Sequence, residues 1–191
     1  LQPGTKYEGS KLDSLRVTAS TEGVTIPRLF GTTRVGGNII WATDFREVTN
    51  TTKQGGKGGG PSVTTTEYVY YCSFAVGLCD GPITGIGRMW ADGDLLDTSD
   101  LEYRVYLGGD DQEPDSLIQS LMGESETPAY RGTAYVVFED MLLTDFGNRI
   151  PQITFEVFRP LPDDDTAEGL IKAVTLIPST GEFAYTTEIV E

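Results

Sequence analysis

Carboxylates are the only plentiful reactive side chains in this sequence, so acid–base chemistry is the first possibility to weigh. The 191 residues carry 29 Asp and Glu, 14 Lys and Arg, two Cys and no His. A glycan-cleaving pair needs two carboxyls roughly 5–10 Å apart in a sugar-binding cleft. The candidates are Asp44, Glu67, Asp80, Glu139, Asp140 and Asp145, with Trp41, Trp90 and the tyrosines as stacking surfaces. Nothing in their spacing selects a pair. Acids beside turn formers, such as Asp80 before Gly81-Pro82, are explained by the turn itself. Asp92, Asp94, Asp97 and Asp100 are close enough in sequence to suggest calcium, but they break the EF-hand order, and Gly93 is misplaced for it. Asp163-Asp164-Asp165 could hold a divalent ion weakly at the surface. A hairpin turn and a helix cap explain both clusters without a metal.

The missing residue types exclude more than the present ones suggest. Without histidine there is no Ser–His–Asp, Cys–His or His–metal mechanism. Two cysteines cannot build a four-cysteine site within the chain. A P-loop requires Lys followed by Ser or Thr, whereas Lys57 precedes Gly58. The net charge of −15 argues against non-specific binding to nucleic acid or to an anionic membrane, both of which need cations on the protein. No apolar run approaches the ~20 residues of a membrane span, so no membrane anchor is expected. No cofactor or metal is expected either. The start at Leu1, without a leader, reads as the cut edge of a longer chain.

The elements that must position these residues are mainly strands. Gly (23) and Pro (10) are spread throughout, as in a turn-rich β protein. From Glu67 to Cys79, Tyr68, Tyr70, Cys72, Phe74, Val76 and Leu78 share one face, and Val69, Tyr71, Ser73, Ala75 and Gly77 share the other. Such a strand is predicted to be central and covered on both sides. Cys72 and Cys79 then fall on opposite faces, and buried free thiols are expected. Arg34–Trp41 is predicted as one strand. Met89–Ala91 and Asp94–Leu96 flank Asp92-Gly93, a type I′ hairpin pair. Tyr103/Val105/Leu107, Ala134/Val136/Phe138 and Ile153/Phe155/Val157 supply further alternating faces. Two short helices are predicted, one over Glu113–Met122 stopped by Gly123, the other carrying Ala167, Leu170, Ile171 and Val174.

The expected fold is therefore mainly β within an α+β class, with antiparallel strands in a sandwich or barrel. Residues 1–11 form a flexible leading edge, 12–160 a β-rich module with a mobile Gly-rich loop at 50–62, and 161–191 a helix–strand extension. Gly31, Gly36, Gly37, Gly81, Pro82, Asp92, Gly93 and Gly147 read as turn and close-approach devices. Tyr68, Tyr70 and Tyr71 suit a strand and would also serve as interface anchors. Arg34 and Arg149 could pair with carboxylates within the chain, pair across a subunit boundary, or bind a ligand.

Three stretches carry a resemblance. Ile26–Phe45 (IPRLFGTTRVGGNIIWATDF), Tyr68–Leu96 (YVYYCSFAVGLCDGPITGIGRMWADGDLL) and Tyr130–Pro160 resemble the tail-hub region of the large tail-tip protein of alphaproteobacterial gene transfer agents and related siphophages. The same region is similar to the host-specificity proteins of lambda-like phages. The likeness runs from about Leu12 onward and continues through Ile171–Glu188; Asp80 stands where relatives often have Glu. The resemblance implies a structural, non-enzymatic virion protein, made in the host cytoplasm and placed at the tail tip. It implies a homotrimeric baseplate hub that closes the tail tube, meets tube and tape-measure proteins, and passes DNA without binding it. Host cell-surface contacts would belong to other domains of a longer chain. The reading from another class is a carbohydrate-binding or glycan-cleaving module, which needs an exposed Trp41 or Trp90 beside two close carboxylates.

Overall fold

The computed structural model describes residues 5–8, 25–55, 62–159, 173–177 and 182–186. The chain divides into two units, 1–159 and 160–191.

The first unit is organised around one strand. β1 (Thr5–Glu8), β2 (Gly31–Gly36), β3 (Asn38–Ala42) and β4 (Arg46–Gln54) precede β5, which runs unbroken for 18 residues from Val63 to Asp80. β6 (Gly85–Ala91), β7 (Asp94–Leu95), β8 (Glu102–Tyr106), β9 (Thr133–Leu142) and β10 (Ile153–Arg159) follow, with helix α1 (Ser116–Met122) between β8 and β9. The first half of β5 pairs with β4 on one edge and, in parallel, with β1 on the other. Its second half pairs with β3 and β9, and β9 pairs in turn with β8. A smaller antiparallel sheet has the order β2-β10-β6-β7.

The two sheets pack face to face, as a sandwich does. Tyr70, Cys72, Phe74, Val76 and Leu78 of β5 and Ala134, Val136 and Phe138 of β9 meet Met89 of β6 and Ile153, Phe155 and Val157 of β10. Phe138 stacks on Phe74 at 5.1 Å and lies 6.3 Å from Phe155, so one aromatic run ties the sheets together. The outer face of the large sheet is covered by α1, whose Ile118 packs on Ala75, Tyr135 and Val137. Both faces of β5 are thus covered, as its sequence requires. Glu156 and Thr154 alternate outward from the buried residues of β10.

Several expectations need correcting. Arg34–Trp41 is not one strand: β2 belongs to the small sheet and β3 to the large one. The chain changes sheet at Gly37, where a Cβ would overlap Val76 Cγ1 and lie 3.1 Å from the Gly77 carbonyl. Only glycine fits there. Asn50–Gln54, expected in a mobile loop over 50–62, extend β4 and pair with Val63–Glu67. Residues 56–61 of that loop lie outside the described residues. Thr5–Glu8, expected in a flexible leading edge, form β1. α1 begins after its cap Asp115, three residues later than the helix predicted from Glu113. Of the second predicted helix, Val174 lies instead in β11 (Ala173–Ile177), which pairs with β12 (Glu182–Thr186) in the second unit; Ala167, Leu170 and Ile171 lie outside the described residues.

Cys72 and Cys79 are both free and both buried in the same inter-sheet core. Strict alternation would separate them. The register of β5 against β9 shifts between Gly77 and Cys79, and this bulge turns Cys79 inward. Burial raises both thiol pKa values.

Candidate functional site

Among the described residues, no helix packs on the outer face of the small sheet, which is built from arginines and an indole. Strand alternation sends Arg34 of β2, Thr154 and Glu156 of β10, and Arg88 and Trp90 of β6 outward together. The Arg34 guanidinium lies 4.0 Å over the Trp90 ring and donates from Nε to Thr154 Oγ1 at 2.8 Å. Arg88 approaches the same ring at 5.5 Å and grips Glu156 through Nε at 3.1 Å and Nη2 at 2.9 Å. These hydrogen bonds hold the half-buried Glu156 carboxyl down at about 2. Leu95 stands opposite Trp90 in the β6–β7 hairpin and is 65% exposed.

At the end of that hairpin, Asp92 and Gly93 adopt positive φ values of 51° and 102°, as a type I′ turn demands. Arg149 donates to both Asp92 oxygens, at 3.2 and 2.7 Å, and the Gln152 N–H donates to Asp92 Oδ1 at 3.0 Å. Arg149, against the opposing effect of burial and with help from the Gln152 N–H, holds the Asp92 carboxyl below its ordinary range. Of the roles open to Arg149, the structure places it in an intrachain pair. A cavity of about 440 Å³ adjoins it, lined among others by Asn38, Val76, Pro151 and Ile153.

A second ionic cluster lies on the outer face of the large sheet. Asp115 is fully buried and accepts from Leu117 N, Ile118 N, Arg104 and Tyr106. Arg104 also donates to Glu139 at 2.7 Å, bridging the two acids. Burial alone would raise the Asp115 pKa, but Arg104, the helix N–H and Tyr106 outweigh it and lower the value. Burial, with Asp115 beside it, pushes the Tyr106 phenol up to about 12. Tyr106 stacks on Tyr135 at 4.4 Å, and burial likewise raises Tyr135.

The tyrosines expected as anchors separate. Tyr70 is buried and donates to Glu47, Tyr68 donates to Glu8 at 2.6 Å, and Tyr71 lies beneath Arg46, which pairs with Asp140. Gly81 and Gly108 meet back to back: a Cβ on Gly81 would lie 2.6 Å from Gly108 Cα. Arg159 donates to the carbonyls of Asp80 and Gly81, and the Gly81–Pro82 peptide is cis. Gly31 and Gly36 bound β2, and Gly147 closes a 3-10 turn with φ 66°.

The carboxylates weighed for catalysis do not gather into a site. Asp80 pairs with Arg28 and Arg159, Asp140 with Arg46, and Glu139 with Arg104. Among the described residues, no group of three or more His, Cys, Asp or Glu could hold a metal ion, and no helix is long and apolar enough to cross a membrane. Trp41 packs against the Ala75–Ile118 cluster, and Arg34 covers one face of Trp90. Arg88, Glu156, Arg104 and Asp115 were not singled out from the sequence. Their signal was there in strand parity: each arginine and Glu156 interrupts an apolar alternation on the outward side.

The described residues of the first unit therefore define a two-sheet β sandwich with a helix on one outer face and an arginine–aromatic surface on the other. No family model matches the sequence, and no curated protein matches it significantly. Among solved structures, the chain is similar to a chain of the virion of a native gene transfer agent (GTA) particle, with 41% identity and a TM-score of 0.61. The similarity covers 90% of this chain and 36% of that one.

Proposed function

We propose that this chain is a structural component of a virion, a module of the hub at the tip of a phage-like tail. The observation that carries the reading is the 41% identity over 90% of the chain to a chain of a gene transfer agent virion. At that identity and coverage the likeness extends through the whole sandwich, not a local motif. The tail-tip position, the homotrimer and the tube and tape-measure neighbours come from the motif resemblance at Ile26–Phe45, Tyr68–Leu96 and Tyr130–Pro160.

The physical character of the chain supports a connector. Arg34, Arg46, Arg88 and Arg104 make cross-strand contacts and aromatic stacks, which fix strands in place. A charge of −15 suits a wall past which DNA moves, since carboxylates repel phosphate and prevent it from sticking. The glycan reading has weaker footing: Trp41 is packed under α1, and Trp90 offers a sugar one face at most. Cryo-electron microscopy of particles carrying a tag on this chain tests the proposal. Tag density at the distal tail tip is expected. Density on the capsid, or particles that assemble with normal tails when the chain is deleted, would overturn it.

A further inference from the structure

Two exposed surfaces on opposite layers of the sandwich have complementary character. On the small sheet, Arg34, Arg88, Trp90 and Leu95 share one face, with two guanidiniums against the single carboxylate of Glu156. Among the described residues, Arg34 makes one hydrogen bond, from Nε, so both of its terminal nitrogens remain available. The chain is otherwise strongly acidic, so this face is a local reversal of sign. Arginine and tryptophan are also the residues enriched where protein interfaces are fully desolvated.

The other surface is the C-terminal end of α1. Leu121 and Met122 are 58% and 47% exposed there, and the 3-10 turn that follows supplies exposed Glu124 and Glu126. The last turn of α1 contains no basic residue, and neither glutamate has an ion pair among the described residues. One surface is therefore apolar beside the free terminal nitrogens of Arg34, with Arg88 already paired to Glu156, and the other is apolar with carboxylates that have no ion pair among the described residues.

We infer that these surfaces bind each other in different copies of the chain. The Arg34–Trp90–Leu95 face of one copy receives the Leu121–Met122 knob of the next, with Glu124 and Glu126 on the terminal nitrogens of Arg34. The fit rests on charge complementarity and on matched apolar pairs, Trp90 and Leu95 against Leu121 and Met122. Because the faces lie on opposite layers, the contact is head-to-tail, the kind that builds rings or stacks rather than an isolated two-fold dimer. The inference deepens the connector reading by naming where copies meet. It rests on that reading only in requiring that copies do meet.

A head-to-tail contact has a diagnostic mixing behaviour. The 191-residue chain is followed by sedimentation velocity across concentration and salt. Wild type is expected to associate as concentration rises, and to dissociate in high salt because the contact is ionic. Arg34→Glu alone and Glu124→Gln/Glu126→Gln alone are each expected to remain monomeric. All three positions are exposed, and circular dichroism and urea midpoints close to wild type certify their folds. Mixed together, the two variants retain one intact pair of faces and are expected to form a 1:1 heterodimer that grows no further. A wild type that stays monomeric, variants that associate as wild type does, or a mixture that stays monomeric would each overturn the inference. If tag density still lies at the tail tip after such a result, the connector reading survives and only this contact is lost.

Discussion

Asp115→Ala should be among the most damaging single substitutions in the first unit, and a floor for its cost can be worked from three of its four contacts, leaving aside the Tyr106 hydroxyl. Two are helix caps: Leu117 N and Ile118 N donate to Asp115 Oδ1 at 2.9 and 3.0 Å. Removing such a cap costs about 1 kcal/mol. The third is the Arg104 pair. Breaking a buried ion pair costs about 3–5 kcal/mol when the surviving charge is left alone. Arg104 is 29% exposed and keeps Glu139, so the lower part of that range, discounted to about 2 kcal/mol, applies here. The total is about 3 kcal/mol. For a chain of this size that lowers the melting temperature by roughly 6–12 °C. Asp115→Asn isolates the parts, because asparagine caps as well as aspartate but carries no charge. It should cost about 2 kcal/mol, with the cap retained. The assay is urea unfolding followed by tryptophan fluorescence, with the slope unchanged between variants. Equal losses for the two variants, or a loss below about 1 kcal/mol for alanine, would refute the division between cap and charge.

Acid should act on the same carboxylate. Its folded pKa lies below the ordinary 3.8, so the stability it contributes is complete above that value and is lost as pH falls through the lower, folded one. Urea midpoints measured from pH 5 downward should therefore fall less steeply in Asp115→Asn than in wild type. Gly81→Ala should destabilise by more than the ~1–3 kcal/mol of ordinary overpacking, because the atoms in the way are Gly108 backbone rather than a movable side chain; thermal unfolding measures it. Phe155→Ala should cost about 3–5 kcal/mol by removing the small sheet's ring from the aromatic run, read from chemical denaturation. Cys72 and Cys79 should be inert to a thiol reagent in the native state and should both react on unfolding, as titration with a chromogenic disulfide will show.

The strands that could be read from sequence were those whose alternate residues meet different surroundings, because that difference writes a period of two into the residue types. β5, β9 and β10 were legible for that reason, and the Asp92-Gly93 turn because its two residues tolerate positive φ. Strand partners and sheet changes were not. The switch at Gly37 depends on Val76, 39 positions away, and a single glycine does not say what it must avoid. β4 was missed, and its second half, Asn-Thr-Thr-Lys-Gln, has no apolar face to show; its pairing with β5 holds it in place instead. At the candidate site, Arg34 and Arg149 stood out as cations in an acidic chain. The partners that fix them, Trp90 and Asp92, became visible only once the register of β10 against β2 and β6 was known.

β5 has a mechanical consequence. Eighteen extended residues span about 60 Å, so one covalent segment runs from the β1–β4 end of the large sheet, past Tyr70, into the core and on to Asp80. Its hydrogen bonds to β3, β4 and β9 lie across its axis. A pull along β5 therefore strains many of them simultaneously, in shear, rather than peeling them one after another. Tension applied near Val63 would reach the inter-sheet core as a single stiff displacement, with β5 serving as the tendon of the unit.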